Sequence, residues 1–317
     1  SDCVTQAMAS VRRGNFFGGM DLTGTAEPGF VFQVVRGFKG LAWLMCTHWV
    51  FGLILLLFSL AVWSVLGGAI FRIAAIHAAR DEKISIPQAL KFSVEKFASF
   101  FMAPLMPMIC IAVLGVAILL GALLMNIPWI GSLIYSLVFF ILALVGGGAI
   151  AFLLAGLIGG GPLMYPTIAV EGSDGFDAIS RSYSYVFNRP WRSGLYALVA
   201  LVYGSFCYLF VHMFAFVTLK ATHSAVKMGV WTGGEKMSGA VDKIDAMWSG
   251  PQLDTLHGGA TFAAVDTMES LAAMVMMVWI YLVIGMVVAF LISYVCSAST
   301  MIYYLLRRQV DATDLDD

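Results

Sequence analysis

Long apolar runs separated by short polar elbows set the pattern of this chain. Five runs have the roughly 20 residues that a hydrocarbon core requires of a helix, near 43–69, 102–125, 132–158, 194–219 and 271–306. The first is expected to continue as helix past Arg72 to Ala79. The last is longer than one crossing, so it tilts or protrudes. Ahead of them, residues 1–40 read as a polar segment leading into an interfacial helix. There Phe30, Val31, Val34, Val35, Phe38 and Leu41 share a helical face, with Arg36 and Lys39 opposite.

Two elbows interrupt the apolar runs. The first, Asp81-Glu82-Lys83-Ile84-Ser85-Ile86-Pro87-Gln88, carries a capping box in Ser85 and Gln88, with Pro87 in the first turn where a missing N–H costs nothing. The helix it opens places Ile86, Leu90, Val94, Phe97 and Phe101 on one face. The second spans Gly159 to Arg192. It is expected to leave the membrane at Gly159-Gly160-Gly161-Pro162, to form a short helix after Asp174 as N-cap, and to turn back at Asn188-Arg189-Pro190-Trp191. Phe176, Ile179, Tyr183 and Val186 form the apolar face of that helix. Ala89 and Ser93 in the first elbow match Ala178 and Ser182 in the second, few enough residues that chance and duplication both fit.

Between spans two and three, Asn126–Gly131 is short and uncharged, which predicts a tight hairpin. Gly146-Gly147-Gly148 in span three either lets a neighbour approach closely or marks a bend, close packing being the expectation. Residues 220–269 form a polar, glycine-rich connection in which Met237, Val241, Ile244 and Trp248 suggest one more amphipathic segment. Residues 307–317 are a tail opening on Arg307-Arg308 and turning acidic through Asp311, Asp314, Asp316 and Asp317.

Composition sharpens this picture. Of 317 residues 60% are hydrophobic and only 12% charged, with mean hydropathy +0.89. Soluble domains carry about 25% charged residues, so most of this surface must face lipid. The fold class is therefore all-α, an integral membrane bundle of five or six transmembrane helices with two or three amphipathic interfacial helices. A net charge of −1 leaves no basic footprint for nucleic acid. The cysteines Cys46, Cys110, Cys207 and Cys296 lie inside apolar runs without ligand spacing, and no metal site is indicated. Residues 1–27 hold no apolar stretch of signal-peptide type. The larger share of the 18 Lys and Arg falls with the elbows and the C-terminus, against the counter-signal of Arg36 and Lys39. The positive-inside rule then places elbows and C-terminus in the cytoplasm.

Candidate chemistry is sparse. The cores of the spans lack charged residues, which argues against ion-coupled transport, although a helix break at Gly146–Gly148 could expose carbonyls along a pathway. His48 and His212 fall near one membrane level and are weak candidates for the axial ligands of a haem b. Arg72, Arg80, Arg181, Arg189 and Arg192, with Trp191 as interfacial anchor, are the candidate lipid- or partner-binding residues. Flanking charge is the plainer reading. Asp81, Glu82, Glu171, Asp174 and Asp177 lie among them, so internal ion pairing is another. No hydrolase, metalloprotease, Walker or dinucleotide fingerprint is present, and no enzyme activity is expected.

The stretches GGAIFRIAAIHAARDEKISIPQALKFSVEKFASFFMAPL, YPTIAVEGSDGFDAISRSYSYVFNRPW and IYYLLRRQVDATDLDD resemble an uncharacterised family of bacterial, planctomycete-type polytopic membrane proteins. More distantly, the plan is similar to the membrane domains associated with glycerophosphodiester phosphodiesterases. No phosphodiesterase domain follows these stretches, so that activity is not carried over. The function this supports is a non-enzymatic subunit or scaffold of a membrane assembly. It would contact anionic lipid, other membrane-protein subunits or further copies of itself through the elbows. The alternative is a transporter or channel for a lipid-like or uncharged solute.

Overall fold

The computed structural model describes residues 19–20, 26–27, 36, 39–40, 43–44, 46–127, 135–229, 243–253, 255–258 and 267–311. Apart from a two-residue antiparallel pairing of β1 (Gly19–Met20) with β2 (Ala26–Glu27), the described residues are helices and their connections. The helices are α1 (Trp49–Arg80), α2 (Ile86–Glu95), α3 (Phe97–Ala122), α4 (Phe140–Glu171), α5 (Gly175–Asn188), α6 (Pro190–Gly229), α7 (Lys243–Met247) and α8 (Thr267–Val310). A 3₁₀ turn, Leu123–Asn126, extends α3, and a π-helical turn, Tyr135–Phe139, leads into α4. Five of these helical stretches are long and apolar enough to cross a membrane: Trp49–Arg80, Phe97–Asn126, Tyr135–Glu171, Pro190–Gly229 and Ser270–Val310. Of the most apolar part of α1 only 17% is buried within the protein, and of α3 and α4 none. Apolar surface of that extent has lipid as its solvent. The chain is an all-α, multi-pass membrane protein.

Arg36, Lys39 and Gly40 are helical, whereas the apolar positions from Phe30 to Leu41 lie outside the described residues. So do Pro128–Gly131 of the hairpin, Met237 and Val241 of the long connection, and Asp314, Asp316 and Asp317 of the tail.

Two compact units divide the chain. The first, Leu55–Leu201 with Ser293–Asp317, contains both elbows. Its centre is a cluster of Leu163, Tyr185, Tyr303 and Leu306, flanked by Val170, Val186 and Tyr196. The second elbow departs from the pattern reading: Gly159–Pro162 does not break the helix. Helix α4 runs unbroken through Gly146–Gly148, Gly159–Gly161, Pro162 and Pro166 to Glu171. Prolines are tolerated inside membrane helices because neighbouring groups re-satisfy the freed carbonyls. The chain turns instead at Gly172, whose φ of 65° is the left-handed conformation that glycine adopts without cost, and its N–H returns to the Ile168 carbonyl at 2.8 Å. Asp174 then occupies the N-cap position of α5 without a side-chain cap bond. In the first elbow the Ser85 N–H donates to Gln88 Oε1 at 3.4 Å. Helix α2 stops at Lys96, so Phe97 and Phe101 belong to α3.

The matched residues of the two elbows occupy equivalent places. Ala89 and Ser93, like Ala178 and Ser182, are fully buried. A Cβ on Gly68 of α1 would collide with Ser93 Oγ, and one on Gly160 of α4 would lie 3.3 Å from the Ser182 backbone. Each short helix thus lays its Ala-x-x-x-Ser edge against a glycine of the preceding span, the close approach that membrane helices obtain from small residues. Ser93 Oγ donates toward the Ser64 and Val65 carbonyls, at 2.8 and 2.7 Å. The large apolar residues of the elbows point outward, with Ile86 73% and Phe176 68% exposed, while Tyr183 packs inward and donates to the Leu153 carbonyl at 3.0 Å. Gly146 packs against Ile118 of α3, whereas Gly147 and Gly148 meet nothing.

The second unit comprises Ser1–Ile54 and Val202–Ile292. Part of the expected 220–269 loop is helix, because α6 extends to Gly229 and α8 begins at Thr267. Trp248 and Leu256 from the connection insert against Leu219 and Ile280 to form a small core. Ile244 is buried beside them. A cluster of polar contacts ties the connection to α6. Lys227 Nζ donates to Asp245 Oδ2 at 2.6 Å, and His223 Nε2 lies 3.0 Å from Asp245 Oδ1, outside hydrogen-bond geometry. His212 Nε2 lies 3.1 Å from the Leu253 carbonyl.

Candidate functional site

The C-terminal ends of α1, α4 and α8 meet in the first unit and enclose a cavity of about 580 Å³, within the roughly 300–1,000 Å³ typical of small-molecule sites. Three contacts fix this junction. Tyr304 Oη donates to the Ala75 carbonyl at 3.1 Å, Tyr303 Oη donates to Glu171 Oε1, and Arg72 Nη1 donates to the Ala169 carbonyl. Helix α5 closes one side with Asp177 and Arg181, and the turn before it contributes Ser173.

Charge dominates the lining. Arg72, Arg80, Arg181 and Arg307 face Glu171 and Asp177, so four guanidiniums meet two carboxylates. Both carboxylates pair with Arg181. Arg181 places Nη1 at 3.0 and 2.9 Å from the two Glu171 oxygens, and its Nε lies 3.1 Å from Asp177 Oδ2. Desolvation pulls the Arg181 pKa down, but the Asp177 hydrogen bond and the two carboxylate charges outweigh it, and the pKa stands above its ordinary value. Arg307 Nε is 3.7 Å from Glu171 Oε1, too far for a hydrogen bond. The Arg72 guanidinium is held over the Phe92 ring at 4.3 Å. Arg80 is exposed and has no ion pair among the described residues. The Ser173 hydroxyl is buried without a hydrogen-bond partner. No protein-family model, curated protein or solved structure matches the chain. The site is read from its own chemistry.

Of the six residues singled out from the sequence, the structure brings Arg72, Arg80 and Arg181 into this cavity. Arg189, Trp191 and Arg192 lie apart from it at the junction of α5 and α6, all exposed, Trp191 to 85%. The internal pairing anticipated for Glu171 and Asp177 holds for Arg181. The sequence reading left Arg307 as flanking charge and missed Tyr303 and Tyr304. Their signal was present: Tyr303 and Arg307 are four residues apart on one helical face.

Around the cavity, Tyr185 of α5 donates its hydroxyl to Asp311. Burial, and then this carboxylate, push the Tyr185 phenol above the usual tyrosine range, so it remains a donor. That contact fastens the start of the tail to the second elbow.

The two histidines differ in setting. His48 is exposed, with its ring edge-on to Trp43 at 6.0 Å. His212 is buried and stacked on Tyr208 at 5.6 Å. Its Nε2 faces the Leu253 carbonyl and its Nδ1 has no hydrogen-bond partner. Among the described residues no group of three or more His, Cys, Asp or Glu could hold a metal ion.

Proposed function

We propose that this is a non-enzymatic, multi-pass protein of the bacterial inner membrane that binds an anionic lipid headgroup in the Arg72–Arg80–Arg181–Arg307 cavity. In this reading it serves as a lipid-contacting subunit or scaffold of a membrane assembly. The single observation that carries the reading is the excess of guanidinium over carboxylate in a half-open cavity at the ends of three membrane helices. Both carboxylates pair most closely with Arg181, and Glu171 reaches Arg307 only at 3.7 Å, so the lining keeps an excess of guanidinium charge. Guanidinium forks of this kind suit phosphate oxygens. The exposed Trp191, with Arg189 and Arg192, anchors the second elbow at the interface, as amphipathic side chains do there. By the charge bias of the sequence, the elbows lie on the cytoplasmic side. The pathway alternative rested on a helix break at Gly146–Gly148, and α4 is continuous there.

The test is native mass spectrometry of purified protein titrated with phosphatidylglycerol or phosphatidylcholine. Anionic lipid should be retained by the wild type and by an Arg189→Gln/Arg192→Gln variant, and lost by Arg80→Gln/Arg307→Gln. Equal retention of the two lipids by the wild type would sink the proposal, as would anionic-lipid retention unaffected by Arg80→Gln/Arg307→Gln.

A further inference from the structure

We infer that the cavity is built for a phosphate monoester, a dianion, rather than for the singly charged phosphodiester of most membrane lipids. This deepens the anionic-headgroup reading and rests on it. The inference comes from how the charges are distributed. Four guanidiniums line the cavity and two carboxylates oppose them, an excess of two positive charges among the described lining residues. Glu171 and Asp177 pair most closely with Arg181, Glu171 reaches Arg307 only at 3.7 Å, and Arg72 and Arg80 have no ion pair among the described residues.

Each of these three has donors left over. Arg72 spends Nη1 on the Ala169 carbonyl, and its guanidinium carbon lies 4.3 Å from the Phe92 ring centroid. Arg307 approaches Glu171 by Nε, at 3.7 Å, and its η nitrogens have no ion pair among the described residues. Arg80 has no ion pair among the described residues. A phosphomonoester near neutral pH carries about −1.5 to −2 charges and three acceptor oxygens. A phosphodiester carries one charge and two free oxygens, which would leave one positive charge and part of this donor set unmatched.

Helix dipoles do not account for the cluster. Their favourable effect on cations is confined to the last turn, which suits Arg80 of α1 and Arg307 of α8. Arg72 lies two turns inside α1, where it is held by the Ala169 carbonyl and the Phe92 ring.

The experiment uses the full chain in detergent and three probes: phosphatidic acid, phosphatidylglycerol with the same acyl chains, and glycerol 3-phosphate. At pH 7.5 phosphatidic acid should bind at least about tenfold more tightly than phosphatidylglycerol, as one further charge–charge contact near a protein surface allows. The preference should shrink at pH 5, where the monoester's second proton is back on. It should also disappear in Arg80→Gln, an exposed position whose substitution leaves packing intact. If glycerol 3-phosphate binds as tightly as phosphatidic acid, the monoester chemistry stands and the source is a soluble ligand. If phosphatidylglycerol equals phosphatidic acid in the wild type, the monoester inference fails while the anionic-headgroup reading survives. If none of the three binds, both fail.

Discussion

Replacing Glu171 by Gln should weaken the fold and strengthen the site at once, because this carboxylate holds the junction together while opposing the cavity's positive charge. Glu171 is 12% exposed and accepts from Arg181 and from the Tyr303 hydroxyl. A hydrogen bond to a charged acceptor contributes about 1.5–3 kcal/mol and one to a neutral acceptor about 0.5–1.5 kcal/mol, so each contact loses roughly 1 kcal/mol. The Arg181 share is discounted because that side chain is 43% exposed. The Gln amide also points a donor at guanidinium donors, and the sum is about 2 kcal/mol. At roughly 2–4 °C per kcal/mol, melting in detergent should fall by about 4–8 °C. Because unfolding there can be irreversible, wild type and variant are compared at one scan rate.

The opposite effect on the site follows from the cavity's size. A volume of about 580 Å³ corresponds to a sphere of radius about 5 Å, so a wall carboxylate sits roughly 6–8 Å from a centred phosphate. Removing one charge at that distance is worth about 2 kcal/mol at an effective dielectric of about 20, and less where water screens it. Affinity for an anionic headgroup should therefore rise by about five- to thirtyfold at about 1–2 kcal/mol. Thermal melts with and without added lipid read both quantities in one experiment. A variant as stable as the wild type, or one whose lipid affinity falls, would refute the reasoning.

Further perturbations address other parts of the molecule. Gly68→Ala in α1 drives a methyl into Ser93 Oγ and should cost about 1–3 kcal/mol by overpacking, seen as a lower melting temperature; Ser93→Ala, which removes the donor to the Ser64 and Val65 carbonyls, should cost about 1 kcal/mol. In the second unit the Lys227 hydrogen bond, aided by His223, holds Asp245 below the usual carboxylate range. The stability this contributes is present above the unfolded Asp value near 3.9 and is lost as pH falls through the lower folded value. Limited proteolysis of the 220–269 connection should accelerate below about pH 4, and Asp245→Asn should be cleaved faster already at pH 7. A fully protected Asp245→Asn variant would contradict the latch. Protein purified after expression with haem supplied should show no Soret band, and a band lost in His212→Ala would reinstate the haem assignment.

Much of this architecture was legible because a bilayer imposes a length and an apolarity that few other structures share. Helix ends were harder. The glycine-proline sequence at 159–162 reads as a break, but the helix continues through Pro162 and Pro166 and ends only where Gly172 adopts positive φ. The match of Ala89 and Ser93 to Ala178 and Ser182 was visible in the sequence, whereas their contacts with Gly68 and Gly160 lie far along the chain and have no local signature. The cavity was half legible for the same reason. Arg72, Arg80 and Arg181 stood out as charges beside spans, but Arg307, Tyr303 and Tyr304 come from the other end of the chain and join them only through tertiary contacts.

The most direct test of the central claim is native mass spectrometry of the protein extracted gently from its own membrane, alongside Arg80→Gln/Arg307→Gln. The account predicts one anionic lipid retained per wild-type chain and none on the variant, the bound mass giving the headgroup. A wild type that carries only neutral lipid, or a variant that keeps the same anionic lipid, would contradict it.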